Sequence, residues 1–360
     1  MKLFKSLSNK GTKDDFVTYG MIIAVFVIVQ AMSAGGLLSS QISGLLVPLC
    51  VYATMAVALN LVVGILGELS LGHAGFMCVG AFTSAFFSRC VEDSMGTFPR
   101  FLLAILIGGL VAGIFGFLIG IPVLRLNGDY LAIVTLAFGE IIKNIVNVLY
   151  IGKDANGIHF AFGDSSGLNM DLANGDLIVN GPQGITGTPF DATFTAGFII
   201  LLVSTIIVLN LIRSRDGRAI MAIRDNHIAA ESVGIPVTKY KMIAFTLSAV
   251  ISGWAGALYA HNLASLIATS ARFGYNMSIL FLVFVVLGGI GSTRGAIIAA
   301  VVLTLIPEVL RFMADYRMLI YSIVLIVMMI ANWNPKSRAF IAAHSPKKLL
   351  AARRARKEAK

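Results

Sequence analysis

Charge is scarce in this 360-residue sequence: Asp, Glu, Lys and Arg make up 13% of it, about half of the ~25% carried by an ordinary soluble domain. That scarcity excludes a large water-exposed globule. Cysteine is scarce too. Cys50, Cys78 and Cys90 lie in or beside apolar runs and form no CxxC, so neither a disulfide framework nor a metal site is implied. No GxxxxGK[ST] run is present, so the chain does not by itself cradle nucleotide phosphates. None of the five histidines forms HExxH, and an enzyme reading has little to stand on.

Hydrophobic residues fill the space that charge leaves. They make up 57% of the chain, and the mean hydropathy is +0.86. A membrane-spanning helix needs roughly 20 apolar residues, and the sequence holds about ten such segments. They fall near 17–33, 41–66, 72–90, 101–124, 130–150, 193–212, 242–262, 276–291, 295–313 and 318–333. The expected fold is an all-α polytopic membrane protein: a short N-terminus, 1–16, a transmembrane region, 17–335, and a basic tail, 336–360. Very short turns near Gly67 and Gly291 leave those helix pairs open to two readings, full spans or broken helices. The basic N-terminus followed by AMSAGG resembles a signal peptide, but with so many spans behind it an uncleaved first helix is expected.

Cytoplasmic segments retain Lys and Arg. An even span count with both termini inside gathers most of the 28 basic residues on one side, from Lys2 to Lys13, through 213–241, to the tail. Only Arg89, Arg100, Lys153, Arg272, Arg311 and Arg317 fall opposite, with Lys143 in the membrane. Both termini are therefore expected in the cytoplasm. The net charge of +10 then reflects topology and contact with anionic lipid rather than nucleic acid.

Two segments outside the membrane are long. The outer one, 151–192, is rich in Gly, Asn and Asp and reads as turns or short strands. The inner one, 213–241, contains GRAIMAIRDNHIAAESVG, in which Ile220, Ile223 and Ile228 recur at helical spacing before Gly234 and Pro236. It reads as one short amphipathic helix. Within the membrane, Gly109, Gly113, Gly116 and Gly120 mark a close helix–helix contact.

GELSLG at Gly67 and GIGSTRG at Gly289 echo one another, each a glycine-rich break with a serine three residues on. Interrupted helices in two halves point to a transport pathway. Glu68 and His73 sit at the first break and read equally as a substrate contact or as a paired clamp that holds it. Glu140 and Lys143, three apart, share a helical face and suit an internal ion pair or a pathway role. Glu308, after Pro307, reads as a cap near a kink.

Five stretches, in order, carry a resemblance to a known family: LNLVVGILGELSLGHAGFMCVGAF, RLNGDYLAIVTLAFGEIIKNIVN, NGPQGITG, the segment SRDGRAIMAIRDNHIAAESVGIPVTKYKMIAF, and LGGIGSTRGAIIAAVVLTLIPEVLR. Together, over about 45–335, they resemble LivM-type permeases, membrane subunits of branched-chain amino acid ABC importers. The resemblance implies a bacterial inner-membrane location and, membrane lipid aside, three kinds of protein partner: a LivH-type second permease, two cytoplasmic ATPases that use ATP and Mg, and an extracytoplasmic binding protein. The chain itself would need no cofactor or metal and bind no nucleic acid. It further implies ATPase coupling through Arg215, Gly217, Arg218, Ala222, Arg224 and Asp225, and a substrate pathway for Leu, Ile and Val near Glu68, Ser70, His73, Thr135, Glu140 and Ser292. A urea or short-chain amide permease of the same superfamily shares SLGH, and a stand-alone secondary transporter is the alternative from another class.

Overall fold

The computed structural model describes residues 10–309, apart from 37–38, 93, 127, 155–156 and 169–174, and a few positions between 319 and 330. The expected span 318–333 lies mostly outside the described residues, and the basic tail 336–360 wholly so. The chain divides into two compact units, Met1–Val301 and Val302–Lys360, and every residue of the site belongs to the first.

Helix dominates because a backbone in hydrocarbon must satisfy its own N–H and C=O groups. The helices run α1 (Lys10–Ala34), α2 (Ser40–Asn60), α3 (His73–Cys90), α4 (Thr97–Val123), α5 (Asp129–Val148), α6 (Phe194–Arg213), α7 (Arg215–Asp225), α8 (His227–Ser232), α9 (Val237–Ala260), α10 (Ser270–Phe273), α11 (Tyr275–Gly288) and α12 (Thr293–Val309). Among the described residues, seven helical segments are long and apolar enough to cross a membrane: Asp15–Ala34, Ser40–Leu66, Thr97–Val123, Asp129–Val148, Phe194–Arg213, Val237–Ala260 and Ser270–Gly288. The expected crossings at 72–90 and 295–313 correspond to α3 and α12, the shorter helices that follow the two glycine breaks. Helix α3 carries Ser, Thr and Gly where a lipid-facing helix carries Leu, and it can do so because nearly all of it is buried in protein.

Helix α9 is the centre of the bundle, with α3 and α4 packed against it. Small residues make this approach possible. A Cβ on Gly80 would stand 2.4 Å from the Gly253 Cα, and one on Gly109 would stand 2.3 Å from Trp254 Nε1. Gly113, Gly116 and Gly120 meet Val250, Ala249 and Met242 in the same way, so the glycine stripe of α4 lies along α9. The first helix, outside the family-like region, packs on α6 by stacking Phe26 on Phe198, with ring centroids 4.0 Å apart.

At the far end of α3 from its glycine break, the Gly- and Asp-rich segment forms strands. β1 (Leu149–Asp154) lies between β2 (Gly157–Phe162) and β3 (Asp176–Asn180) in an antiparallel sheet, with Leu149 opposite Phe162 and Tyr150 opposite Asn180. A second pair, β4 (Ile185–Thr186) with β5 (Ser265–Leu266), ties this segment to the end of α9.

The segment 213–241 departs from its reading as one helix. It is two helices, α7 and α8, broken at Asn226, whose backbone is extended and whose Oδ1 accepts the Ala229 N–H at 3.1 Å. Asn is a strong N-cap, and here it starts a new helix instead of continuing the old one. The break moves Ile228 out of line. Ile220 and Ile223 are buried, whereas Ile228 is 69% exposed.

Candidate functional site

The run after α2 does not simply turn. Residues Leu61–Leu66 form a π turn that ends at Gly67, whose φ of 81° places it in the left-handed region. That conformation suits glycine, and π turns in long helices concentrate at functional positions. The irregular backbone up to Gly72 then has donors to satisfy, and neighbouring helices supply the acceptors. Leu71 N–H donates to Thr135 Oγ1 of α5 at 3.0 Å, and Ala74 N–H donates to Ser278 Oγ of α11 at 3.2 Å. Gly72 lies so close to α5 that a Cβ there would stand 2.5 Å from the Thr135 carbonyl oxygen.

Glu68 and His73 do not pair with one another, contrary to the paired-clamp reading. Each reaches α9 instead. The Glu68 carboxylate forms an ion pair with Lys241 Nζ. His73 lies between two serines, with Ser70 Oγ 3.2 Å from Nδ1 and Ser248 Oγ 2.7 Å from Nε2. The Ser248 hydroxyl donates to the Ala58 carbonyl at 2.6 Å. A hydroxyl has one proton to give, so Ser248 accepts from His73 Nε2–H, and Nδ1 accepts from Ser70. The result is a directed chain through a neutral imidazole, Ser70 to His73 to Ser248 to Ala58. Ser70, His73 and Thr135 are all buried within this chain, and the arrangement clamps the break.

Across the bundle, His261 at the end of α9 takes the reciprocal position. Its Nδ1 donates to the Ala257 carbonyl at 2.8 Å, and its Nε2 accepts from Ser88 of α3 at 2.7 Å. Helix α3, which runs parallel to α9, is thus pinned to it near both of its own ends by a His–Ser pair.

The second break is Gly289–Ser292, with Gly289 at φ 94° and Gly291 at φ 83°. Ser292 starts α12 by accepting the Gly295 N–H at 3.2 Å. The two breaks that echo in sequence are also neighbours in space. A Cβ on Gly64 would stand 2.5 Å from Gly291 N. Asn60 joins them, accepting the Gly291 N–H at 3.1 Å and donating from Nδ2 to Thr293 Oγ1 at 3.4 Å.

Helix α7 meets this junction. Arg224 Nη1 donates to the Gly64 carbonyl at 3.2 Å, its Cγ covers Gly67, and its Nη2 is 3.0 Å from Asp225 Oδ1. Gly217 is buried where a Cβ would stand 2.1 Å from the Leu211 carbonyl oxygen, so the α6–α7 corner requires it. Arg218 donates to the Arg213 carbonyl at 3.3 Å; Arg215 and Ala222 are exposed. Glu140 sits apart from the breaks. It pairs with Lys143 as its spacing implies, and its Oε1 accepts the N–H of Tyr275, the first residue of α11, at 2.8 Å, while Lys143 donates to Ser270 Oγ at 2.9 Å.

Asn60, Lys241, Ser248 and Ser278 complete the site but were not singled out in the sequence. Their signal was a lone polar residue in or at the mouth of an apolar helix. The run GDSSG, 163–167, has the G-x-S-x-G spacing of a nucleophile elbow. It forms no strand-to-helix elbow. Its serines belong to a 3-10 turn, Ser165–Leu168, and Ser166 with the turn N–H groups holds the Asp164 carboxyl below the usual carboxylate range.

Comparison with known proteins places this architecture. The profile of the family described as branched-chain amino acid transport system, permease component, matches residues 41–332. The chain belongs to that family. Among similar members, the LivM permease protein of the high-affinity branched-chain amino acid transport system of Salmonella typhimurium is 36% identical over 295 residues, 79% of this chain and 67% of that protein. LivM of Escherichia coli strain K12 is 35% identical with the same coverage. A nucleoside ABC transporter permease, NupC of Lactococcus lactis, is more distant, 24% identical over 58% of this chain and 63% of its own length. No solved structure matches. The family's members are transport components rather than enzymes, and this permease is a multi-pass protein of the bacterial inner membrane.

Proposed function

We propose that this chain is one membrane subunit of an ABC importer and forms, with a second permease, the passage for Leu, Ile and Val. The observation that carries the reading is the 35–36% identity to two LivM proteins along 79% of the chain, against 24% over 58% for the nucleoside permease. An amino acid zwitterion crossing a low-dielectric region needs polar groups for its charged ends and an apolar wall for its side chain. Irregular backbone at membrane depth, as at Gly67–Gly72 and Gly289–Ser292, is tolerated only in protein or beside a cavity. Paired with a second subunit, this junction is the part of the chain suited to line a passage.

The partners in this reading are a second permease, two cytoplasmic ATPases that bind ATP and Mg, and an extracytoplasmic binding protein. Orientation follows the basic-residue count, which puts both termini and the α7–α8 segment inside and the sheet outside. Helix α7 would then face the ATPases through its exposed side, Arg215, Arg218 and Ala222, in a helix-in-groove contact. ATP-driven closure would move α7, and the bundle would open first outward and then inward. The passage supplies no chemistry of its own.

The test is co-expression with the neighbouring transport genes, reconstitution in vesicles, and uptake of labelled leucine and of urea. Leucine uptake that requires ATP and the binding protein is the expected result. Urea uptake without leucine uptake overturns the substrate, and uptake that persists without any ATPase overturns the importer.

A further inference from the structure

The meeting of the two breaks has a shape that no single hydrogen bond explains. Gly64, inside the π turn, faces Gly291 so closely that a Cβ on it would stand 2.5 Å from Gly291 N, while Gly291 itself is held at a φ of 83° that favours glycine. Asn60, wholly buried and one turn earlier, spends both ends of its amide on the second break, at Gly291 and Thr293. Arg224 reaches in from α7 to the carbonyl of Gly64 itself. The Lys241 ammonium, on α9, holds Glu68 just past the π turn. A π turn is a local excess of one residue in the helical ladder, and such turns are frequent at functional sites. Its register here is held from one side by Asn60 and from the other by Arg224.

We propose that Arg224 and Asn60 are positioning residues of one latch, by which displacement of α7 separates the two breaks together. Withdrawal of the guanidinium frees the Gly64 carbonyl, the π turn shifts toward regular α-helical pairing, and Asn60 turns away from Gly291. The second break, to which α7 makes no hydrogen bond among the described residues, moves as a result. This rests on the reading of α7 as the ATPase-facing helix, and the experiment separates the two.

Hydrogen exchange is followed on the full complex in nanodiscs, in peptides covering 60–72 and 286–296, for the parent, Arg224→Ala, Arg224→Lys and Asn60→Ala. Arg224→Ala is expected to speed exchange in both peptides, and Asn60→Ala in the same two. Substrate carried per ATP hydrolysed falls about tenfold in each, a size typical of coupling between sites, and the double variant falls no further than the poorer single. Arg224→Lys, which keeps a charged donor, recovers most of the loss. Asn60→Leu, which keeps the volume but neither hydrogen bond, replaces Asn60→Ala if the latter does not assemble. Faster exchange confined to 60–72 in Arg224→Ala, or additive losses in the double variant, overturns the latch. A parent complex that carries no leucine overturns the proposed function alone, because the exchange in 286–296 still decides the latch.

Discussion

Arg224 Nη1 donates to the carbonyl oxygen of Gly64 at 3.2 Å, across 160 residues of sequence. One residue is on a short helix outside the apolar bundle, the other in the π turn of a long buried helix. The contact ties the segment proposed to face the ATPases directly to an irregular stretch of the permease backbone.

The same end of the bundle predicts a strong dependence on the Glu68–Lys241 pair. Both side chains are largely withdrawn from solvent, at 14% and 6% exposure. Breaking a buried pair by removing one member leaves an uncompensated charge and costs about 3–5 kcal/mol. Glu68→Met is therefore expected to lower thermal stability severely, while the double change Glu68→Met with Lys241→Met recovers most of it. Melting of the purified chain in detergent, run as a double-mutant cycle, checks this. Equal damage from single and double variants counts against the pair.

The histidine chain predicts a chemical preference at position 73. His73→Ala leaves the Ser70 hydroxyl without its acceptor, while Ser248 keeps its bond to Ala58, and a buried polar group left unsatisfied costs about 1–3 kcal/mol. His73→Gln, whose amide both donates and accepts, is expected to be milder by at least about 1 kcal/mol. Thermal melts rank the two. A Gln variant no better than Ala means that the ring's bulk, and not its two hydrogen bonds, is what matters.

Two ion pairs at the opposite end make a contrast of burial. Arg100 and Asp191 sit at 2.7 Å with 7% and 6% of their side chains exposed, while Arg89 and Asp176, also at 2.7 Å, expose 23% and 60%. Asp191→Asn is expected to destabilise by roughly 3–5 kcal/mol, and Asp176→Asn by about 1 kcal/mol or less, because exposed pairs are screened by water. The shift in melting midpoint of each single variant reads the difference, and comparable shifts for both would contradict it.

The α3–α9 contact predicts intolerance of small additions. Gly80→Ala places a methyl 2.4 Å from the Gly253 Cα, a backbone atom that cannot swing away. Overpacking of this kind costs about 1–3 kcal/mol, whereas Gly44→Ala, where a Cβ would meet nothing within 4 Å, is expected to leave stability unchanged. Expression and melting of the two variants give the comparison.

Much of this was readable in the chain itself. The apolar runs, the glycine stripe of α4 and the pairing of Glu140 with Lys143 follow from local periodicity, because residues three or four apart on a helix are neighbours by geometry. The spacing that joined Ile228 to Ile220 and Ile223 was misleading for an equally local reason, the capping of a new helix by Asn226. The clamp at the first break was legible only in part. Glu68 and His73 stood out as polar groups in apolar surroundings, but their partners Lys241 and Ser248 lie more than 170 positions away, and nothing in a spacing rule names them.

The sequence by itself determined that this protein is a bundle of membrane helices interrupted twice by glycine-rich turns, because hydrocarbon admits few other backbones and scarce charge admits no large soluble one. Only the tertiary structure decided that the two interruptions touch, that Asn60 joins them, and that Arg224 reaches their junction. Those contacts depend on which helices pack side by side, and that is set by the summed fit of glycine faces along α3, α4 and α9 rather than by any one stretch of the chain.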